Sequence, residues 1–122
     1  HQVTEAVGQA LIARGLSSDF FVMLADVENS RYTLCLEHAS SLGDLGILVE
    51  ERLSSMNIEF KAKRASGRLQ PIHVLQLRPG TGDVYRQHCV SKGQREAQFK
   101  LIRLQYAHDS TFDFERHGEV MT

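Results

Sequence analysis

The sequence is poor in the residues that build disulfide frameworks and interdomain linkers. Its 122 residues include two cysteines and two prolines, and no Gly/Ser/Pro-rich stretch or internal repeat divides the chain. Cys35 and Cys89 fall in a predicted strand and a predicted helix, which favours reduced, packed thiols over a disulfide. We therefore expect one domain over residues 1–122 and a reducing, cytoplasmic environment.

An excess of charge of one sign and long hydrophobic runs are also missing. The 14 basic and 15 acidic residues leave a net charge of -1, which gives no electrostatic case for binding nucleic acid or a membrane. No apolar run approaches the length of a membrane span, and the N-terminus lacks the pattern of a signal peptide. Because the chain starts with His1 rather than methionine, we expect an excised fragment of a longer protein.

The common nucleotide-binding, catalytic and metal-binding motifs are absent as well. "GTGDVY", which starts at Gly80, has two of the three glycines of a dinucleotide-binding loop, and no G-K-S or G-K-T phosphate loop exists. No G-x-S-x-G marks a serine nucleophile. The six histidines do not cluster, and no C-x-x-C or H-x-x-x-H brings metal ligands together. We therefore expect no metal site and no nucleotide-binding motif in this chain.

Hydrophobic periodicity indicates an alternation of helices and strands. The spacing predicts, in order, a helix over 3–14, strands over 20–24 and 32–36, a helix over about 42–56 capped by Ser41, strands over 58–63 and 72–77, a helix from Thr81 to Lys92–Gly93, and a strand over 101–106. Glu28, Asn29 and Ser30 form the turn of the first strand pair, and Phe112 and Phe114 are expected to fold back onto the domain. This order predicts an α+β fold: a small mixed or antiparallel sheet with helices packed on it, as a ferredoxin-like two-layer sandwich.

Two features admit both a structural and a functional interpretation. Residues 80–82 form a helix start whose free N–H groups either simply begin the helix or bind an anion. Four basic side chains within 61–68 form a local patch: Lys61, Lys63, Arg64 and Arg68. This basic patch indicates either an edge strand protected by lysines or part of an RNA-binding sheet, although such a sheet would also carry exposed aromatics.

One lysine raises the same question more sharply. In "GQREAQFKLIR", residues 93–103, a polar run is followed by Phe99 and a lone Lys100, directly before an apolar stretch. Lys100 is either an ordinary surface lysine or a cation presented to an anion. Composition and spacing leave both interpretations open.

Four stretches taken together resemble one protein family. They are "VGQALIARGL", "DFFVMLADVENSRYTLCLE", "RLQPIHVLQLRPGT" and "GQREAQFKLIRLQY". Their order and spacing, over residues 7–106, are similar to the C-terminal domain of the Gretchen Hagen three family, also called the auxin-responsive promoter family. Its members are acyl-acid amido synthetases of the adenylate-forming superfamily, and the long "GQREAQFK" form and "FDF" tail look more like bacterial-type members.

The resemblance implies an enzyme that this chain would form only in part. Such enzymes use ATP with Mg to adenylate a carboxylic acid and then pass the acyl group to an amino acid, forming an amide. The resemblance makes this chain a mobile lid over an N-terminal adenylating domain, with no cofactor of its own and no activity alone. The implied partners are that domain and the two substrates, with no nucleic acid and no membrane.

The resemblance also assigns roles to three residues. Lys100 matches the lysine of a Q-[FY]-K motif, which contacts the nucleotide phosphate. Gln98 and Arg103 match neighbouring positions, so Gln98 is expected to shape the loop and Arg103 to form an ion pair or contact the other domain. A ferredoxin-like regulatory or RNA-binding module that uses the basic patch is the alternative function.

Three positions depart from the family pattern. Gln70 replaces a glycine before proline, Gly82 replaces the phenylalanine of plant members, and Ile102 replaces the proline between lysine and arginine. The resemblance therefore does not extend to plant-type substrates.

Overall fold

The computed structural model describes residues 2–93 and 101–120. These ranges contain the helices Gln2–Ala13 (α1), Leu45–Met56 (α2), Ile58–Ala65 (α3) and Thr81–Ser91 (α4), and the strands Phe21–Asp26 (β1), Arg31–Glu37 (β2), His73–Leu77 (β3), Leu104–Tyr106 (β4) and Gly118–Val120 (β5). Short 3-10 turns cover Ala107–Asp109 and Phe114–His117. None of the helices found in these ranges is long and apolar enough to cross a membrane.

The strands form one mixed sheet in the order β4-β1-β2-β3-β5. β1 and β2 are an antiparallel hairpin in which Met23 pairs with Leu34, and Ser30 takes the left-handed conformation that its turn requires (φ 52°). β3 runs parallel to β2 and β4 parallel to β1, whereas β5 is antiparallel to β3. The mixed sheet with packed helices confirms the predicted α+β sandwich.

The first hydrophobic cluster lies between one face of the sheet and the helices α1, α2 and α3. Alternate side chains of a strand point to opposite faces, and Met23 and Leu34 are fully buried on this one. The helices contribute apolar positions spaced three or four residues apart: Val3, Val7, Ala10 and Leu11 from α1, Leu45, Val49 and Leu53 from α2, and Phe60 from α3.

The second cluster covers the other face and is rich in aromatic rings. The ring centroids of Phe20 and Tyr85 are 5.3 Å apart, and those of Phe112 and Phe114 are 4.9 Å apart. Phe112 and Phe114 are both buried, which confirms that the C-terminal segment folds back onto the domain. Cys35 packs in the same cluster, where burial raises the pKa of its thiol to about 12 and keeps it protonated and unreactive.

The predicted strand over 58–63 is wrong, because these residues begin α3. Asn57 caps the helix: its side-chain oxygen accepts a hydrogen bond from the Phe60 N–H at 3.0 Å. Glu59 lies in the first turn, where a carboxylate is favourable. A six-residue alternation of apolar and polar residues is too short to distinguish a strand from a helix with one buried side chain.

The predicted cap of the second helix is also wrong. α2 begins at Leu45 after Asp44, and no side chain caps it. The hydroxyl of Ser41 instead accepts a hydrogen bond from the Gly43 N–H at 3.2 Å, within the preceding turn. Ser41 therefore stabilises the chain reversal before the helix rather than its first N–H groups.

Candidate functional site

The segment that carries the predicted site joins α4 to β4. Lys100 and Gln98 lie outside the described residues, so their predicted roles stay predictions. Arg103 is described, together with both flanks of the segment. The site is therefore built from these flanks.

The first flank is the end of α4, which stops as the sequence predicts. The Lys92 N–H donates to the His88 carbonyl at 3.1 Å, and the Gly93 N–H donates to the Val90 carbonyl at 3.1 Å. Gly93 then adopts a φ of 111°, which favours glycine over any other residue. These bonds end α4 at a defined residue and fix the position of Gly93, the last residue of the first flank.

The second flank returns to the sheet through Arg103. Its carbonyl accepts the Met23 N–H at 2.7 Å, and its Nη1 donates to the Phe21 carbonyl at 2.8 Å. The guanidinium carbon lies 4.1 Å from the centroid of the Phe21 ring, a cation–π contact. The backbone carbonyl of Arg103, one N–H of its guanidinium and the planar face of that guanidinium thus all contact Phe21 or Met23, the first residues of β1.

These contacts define the environment of Arg103 within the described residues, and its predicted contact with the other domain stays a prediction. Among the described residues, no ion pair involves Arg103; a carbonyl oxygen and an aromatic ring take that place. Burial lowers the pKa of the guanidinium, yet an arginine keeps its proton at neutral pH. No sequence pattern indicates the Phe21 contact, because the two residues are 82 positions apart.

Further bonds tie the two flanks to each other. The Gln105 side-chain amide donates to the Tyr85 hydroxyl at 2.9 Å and to the Ile102 carbonyl at 2.8 Å, which connects β4 to α4. Leu101 packs against the second cluster, to which Tyr85 also belongs. The two flanks are therefore connected to each other through α4, β4 and the buried Tyr85.

The other candidate anion site, the start of α4, already holds a carboxylate of the chain itself. The Gly82 N–H donates to Glu37 Oε1 at 2.7 Å. Thr81 is buried, and its hydroxyl donates to the Arg78 carbonyl at 2.6 Å rather than capping the helix. Since an internal anion sits at these N–H groups, the structural interpretation of residues 80–82 is the one that the geometry favours.

The basic patch lies on α3 and the turn after it, not on a strand. Arg64 is paired with Glu50, with Nε 2.7 Å from Oε1, and its Nη1 donates to the Leu69 carbonyl. Arg68 is exposed and contacts the hydroxyl of Ser66. The RNA-binding interpretation needs these side chains on a sheet surface, and a helix does not provide one.

Apolar side chains remain exposed on the second flank and on β4, the edge strand that follows it. Ile102 is 58% exposed, Leu104 37% and Tyr106 55%. Together with Tyr32 they line an open groove of about 480 Å³. Within the ranges 2–93 and 101–120, no three His, Cys, Asp or Glu side chains are grouped so that they could hold a metal ion.

Comparison with known proteins gives a family and a fold. The model of the GH3 family C-terminal domain matches residues 1–108. A solved structure of GH3.15 acyl acid amido synthetase is similar with a TM-score of 0.79 and 18% identity, and one of AtGH3.15 acyl acid amido synthetase in complex with 2,4-DB with a TM-score of 0.75 and 18% identity. Each match covers 98% of this chain and 24% of the matched chain, so the chain spans a quarter of their length. No curated protein matches it in sequence.

Proposed function

Because this chain belongs to the GH3 family, in which it is the C-terminal domain, we propose that it is the lid domain of an ATP-dependent acyl acid amido synthetase. The observation that carries the proposal is the family match over residues 1–108. The shared fold of the two solved synthetase structures supports it, since 98% of this chain superposes on part of each. The rest of such an enzyme would be an N-terminal adenylating domain.

The proposed reaction has two steps. The carboxylate of the acid attacks the α-phosphorus of ATP, the bond to the bridging oxygen breaks, and pyrophosphate leaves. The amine of an amino acid then attacks the acyl carbon, loses a proton, and displaces AMP to give an amide. Negative charge on the phosphate oxygens grows in the first step, and a cation in a water-excluded cleft stabilises it.

We assign that cation to Lys100, with two supporting residues. A lysine is a flexible point charge that a closing lid can deliver to a phosphate. Gln98 would shape the loop that carries it, and Arg103 would hold the loop to the sheet. In this proposal the anion that Lys100 meets belongs to a substrate bound by the adenylating domain.

The proposal also includes the metal ion, the cellular compartment and the substrates of the full-length enzyme. Magnesium would accompany ATP on the adenylating domain, and no step here depends on it. The free thiols of Cys35 and Cys89 fit a reducing cytoplasm. The "GQREAQFK" and "FDF" stretches are the basis for proposing a bacterial-type member with a small carboxylic acid and an amino acid as substrates.

The test is a substrate screen of the full-length protein that reads pyrophosphate release. We expect release that depends on a carboxylic acid, and an amide product when an amino acid is added. The isolated 122-residue domain should release none, because it contains no nucleotide-binding motif. Pyrophosphate release that no acid increases, or acyl-adenylate formation by the isolated domain, would contradict the proposal.

A further inference from the structure

We propose that a cavity on the face of the sheet that carries the second cluster binds a free α-amino acid with a small apolar side chain. The carboxylate of this ligand meets Arg31, and its ammonium group meets Glu115. The residues that line the cavity all lie within the ranges 2–93 and 101–120. The inference does not rest on the proposed function, because binding is measured without ATP and without a carboxylic acid to be adenylated.

Strand alternation places four polar side chains at one end of this face. Asp26 pairs with Arg31, and Thr33 pairs with His73, so these residues lie on the same face as the buried Leu75. The C-terminal segment packs over this end of the sheet and leaves a cavity of about 220 Å³. The apolar part of the cavity is formed by Leu24, Cys35, Leu75, Phe112 and Phe114.

Arg31 brings an unpaired hydrogen-bond donor to the cavity. Its Nε is buried, and none of the described residues accepts a hydrogen bond from it. Oδ2 of Asp26 lies 4.0 Å from this Nε, beyond hydrogen-bond length, and the two oxygens of Asp26 already accept bonds from Asn29 at 3.2 Å and 2.8 Å. Since a buried donor normally has a partner, a ligand carboxylate is the group that would complete this site.

The charges around the cavity favour a zwitterion over a simple anion. Burial, and next the neighbouring Arg31, lower the pKa of His73 from its usual 6.5, so its ring is mostly uncharged at neutral pH. Arg31 is then the one cation among the described lining residues, while Asp26, Asp113 and Glu115 contribute carboxylates. A phosphate would meet more negative than positive charge there, whereas an amino acid carries a positive charge of its own.

Glu115 is the carboxylate that is free to meet the ammonium group. Asp113 is already paired with Arg116, with 3.4 Å between Oδ2 and Nε. Among the described residues no ion pair involves Glu115, which is exposed at the rim of the cavity. Its negative charge acts on both Cys35 and His73 on the cavity floor. The ligand therefore spans from Arg31 on the sheet to Glu115 at the rim.

The size and the apolar part of the cavity restrict the amino acid. About 220 Å³ holds roughly seven waters, or a molecule with a similar number of non-hydrogen atoms. This volume excludes a nucleotide and admits an amino acid with a short side chain. Because leucine, cysteine and phenylalanine side chains form one side of the cavity, the ligand side chain is apolar. L-alanine and L-valine are therefore the probes.

The experiment is calorimetric titration of the full-length protein with L-alanine and L-valine, without ATP or a carboxylic acid substrate. Three analogues test the recognition: 3-methylbutanoate lacks the ammonium group of valine, 2-methylpropylamine lacks its carboxylate, and inorganic phosphate is a simple anion. Arg31→Met and Glu115→Gln test the two charged contacts. Arg68→Met and Glu119→Gln are the matched controls, since both residues are exposed and neither lines the cavity.

We expect at least one of the two amino acids to bind, and Arg31→Met to weaken that binding about 10-fold to 10²-fold, because a hydrogen bond between charged groups is lost at a buried donor. Glu115→Gln should weaken it about threefold, since this ion pair lies at the exposed rim. The two control variants should bind as the wild type does. Both organic analogues should bind more weakly than L-valine, and phosphate should not bind measurably.

Three results would overturn the inference. The first is the absence of binding by both amino acids at about 10 mM. The second is binding that Arg31→Met and Glu115→Gln leave unchanged, which would place the amino acid elsewhere in the enzyme. The third is phosphate or 3-methylbutanoate binding as tightly as L-valine, which would make the cavity an anion site.

A surface substitution decides the question if Arg31→Met does not fold. Glu115→Lys changes an exposed side chain, so the fold is expected to tolerate it. The new cation repels the ammonium group and should weaken amino acid binding about tenfold, while Glu119→Lys should leave it unchanged. Equal affinities for Glu115→Lys and the wild type would reject the site.

Discussion

At the scale of single residues, a close contact between Gly82 and Phe20 fixes how α4 meets the sheet. A Cβ atom on Gly82 would lie 2.9 Å from Phe20 Cβ and 3.0 Å from its Cγ. Phe20 cannot move away freely, because its ring is buried against Tyr85 and Phe114. A side chain at position 82 would therefore overlap Phe20.

This contact predicts opposite outcomes for two Gly→Ala substitutions. Gly82→Ala should lower the free energy of unfolding by about 1–3 kcal/mol through overpacking. Gly8→Ala, within α1 and with nothing within 4 Å of the added Cβ, should raise it by about 0.5–1 kcal/mol, since alanine loses less backbone entropy. Urea denaturation of both variants measures the difference, and a neutral Gly82→Ala would show that Phe20 can yield.

His73 gives the fold a pH dependence that can be assigned to one residue. Burial lowers the pKa of its imidazole from the usual 6.5, and the nearby Arg31 adds to this, while Glu115 and Asp26 oppose it. The unfolded chain therefore binds a proton more readily than the folded one, so stability falls as the pH drops from about 6.5 toward the lowered pKa.

His73→Gln removes this titration and should flatten the stability profile. Urea midpoints at pH 7.5 and pH 5.5 should differ less for His73→Gln than for the wild type. An equal decrease in both proteins would assign the acid sensitivity to other groups.

At the scale of elements, Glu50 joins two helices to the sheet. From α2 its carboxylate bonds to Arg64 of α3 at 2.7 Å and accepts the Ile72 N–H, just before β3, at 2.7 Å. Both bonds are part-buried, so removal of the carboxylate takes away the acceptor of the Arg64 Nε–H and of the Ile72 N–H, while the Arg64 Nη1 keeps its bond to the Leu69 carbonyl. Such bonds contribute more than those of an exposed ion pair.

The prediction is a contrast between neighbouring glutamates. Glu50→Ala should lower the free energy of unfolding by about 1.5–3 kcal/mol. Glu51→Ala, one residue further along α2 and exposed, should change it by less than about 0.5 kcal/mol. Equal effects in chemical denaturation would mean that the Glu50 bonds contribute no more than surface charge.

The elements also show what local sequence can and cannot predict. The β1–β2 hairpin, α1 and α4 follow from periodicity and stop signals, because each carries a sufficiently long pattern or a glycine at its end. The alternating pattern over α3 wrongly predicts a strand, although Asn57, Glu59 and the terminal Lys63 are typical of helix ends. Those end signals decide the assignment when the periodic stretch is short.

The site was predicted in a different way. Lys100 and Arg103 come from resemblance to a family motif, whereas the Phe21 ring under Arg103 comes from sheet pairing between distant segments. The pairing of β4 with β1 brings together residues at opposite ends of the chain. No local pattern encodes that register, so the contact between Arg103 and Phe21 required the structure.

At the scale of the whole molecule, the sheet separates two hydrophobic clusters that support different parts of the structure. The first, beneath α1, α2 and α3, forms the larger part of the core. The second holds α4, Leu101 and the C-terminal aromatics, and so carries both flanks of the 94–100 segment. The proposed catalytic segment is therefore attached to the side of the fold where α4 and the edge strand meet.

The central claim is that this domain supplies Lys100 to a reaction centred on the rest of the enzyme. The most direct measurement compares the initial rate of acid-dependent pyrophosphate release by full-length wild type, Lys100→Ala and Lys61→Ala, where Lys61 is an exposed lysine on α3. We predict a loss of ~10²-fold for Lys100→Ala and no change for Lys61→Ala. A Lys100→Ala enzyme as fast as the wild type, or an equal loss for Lys61→Ala, would contradict the claim.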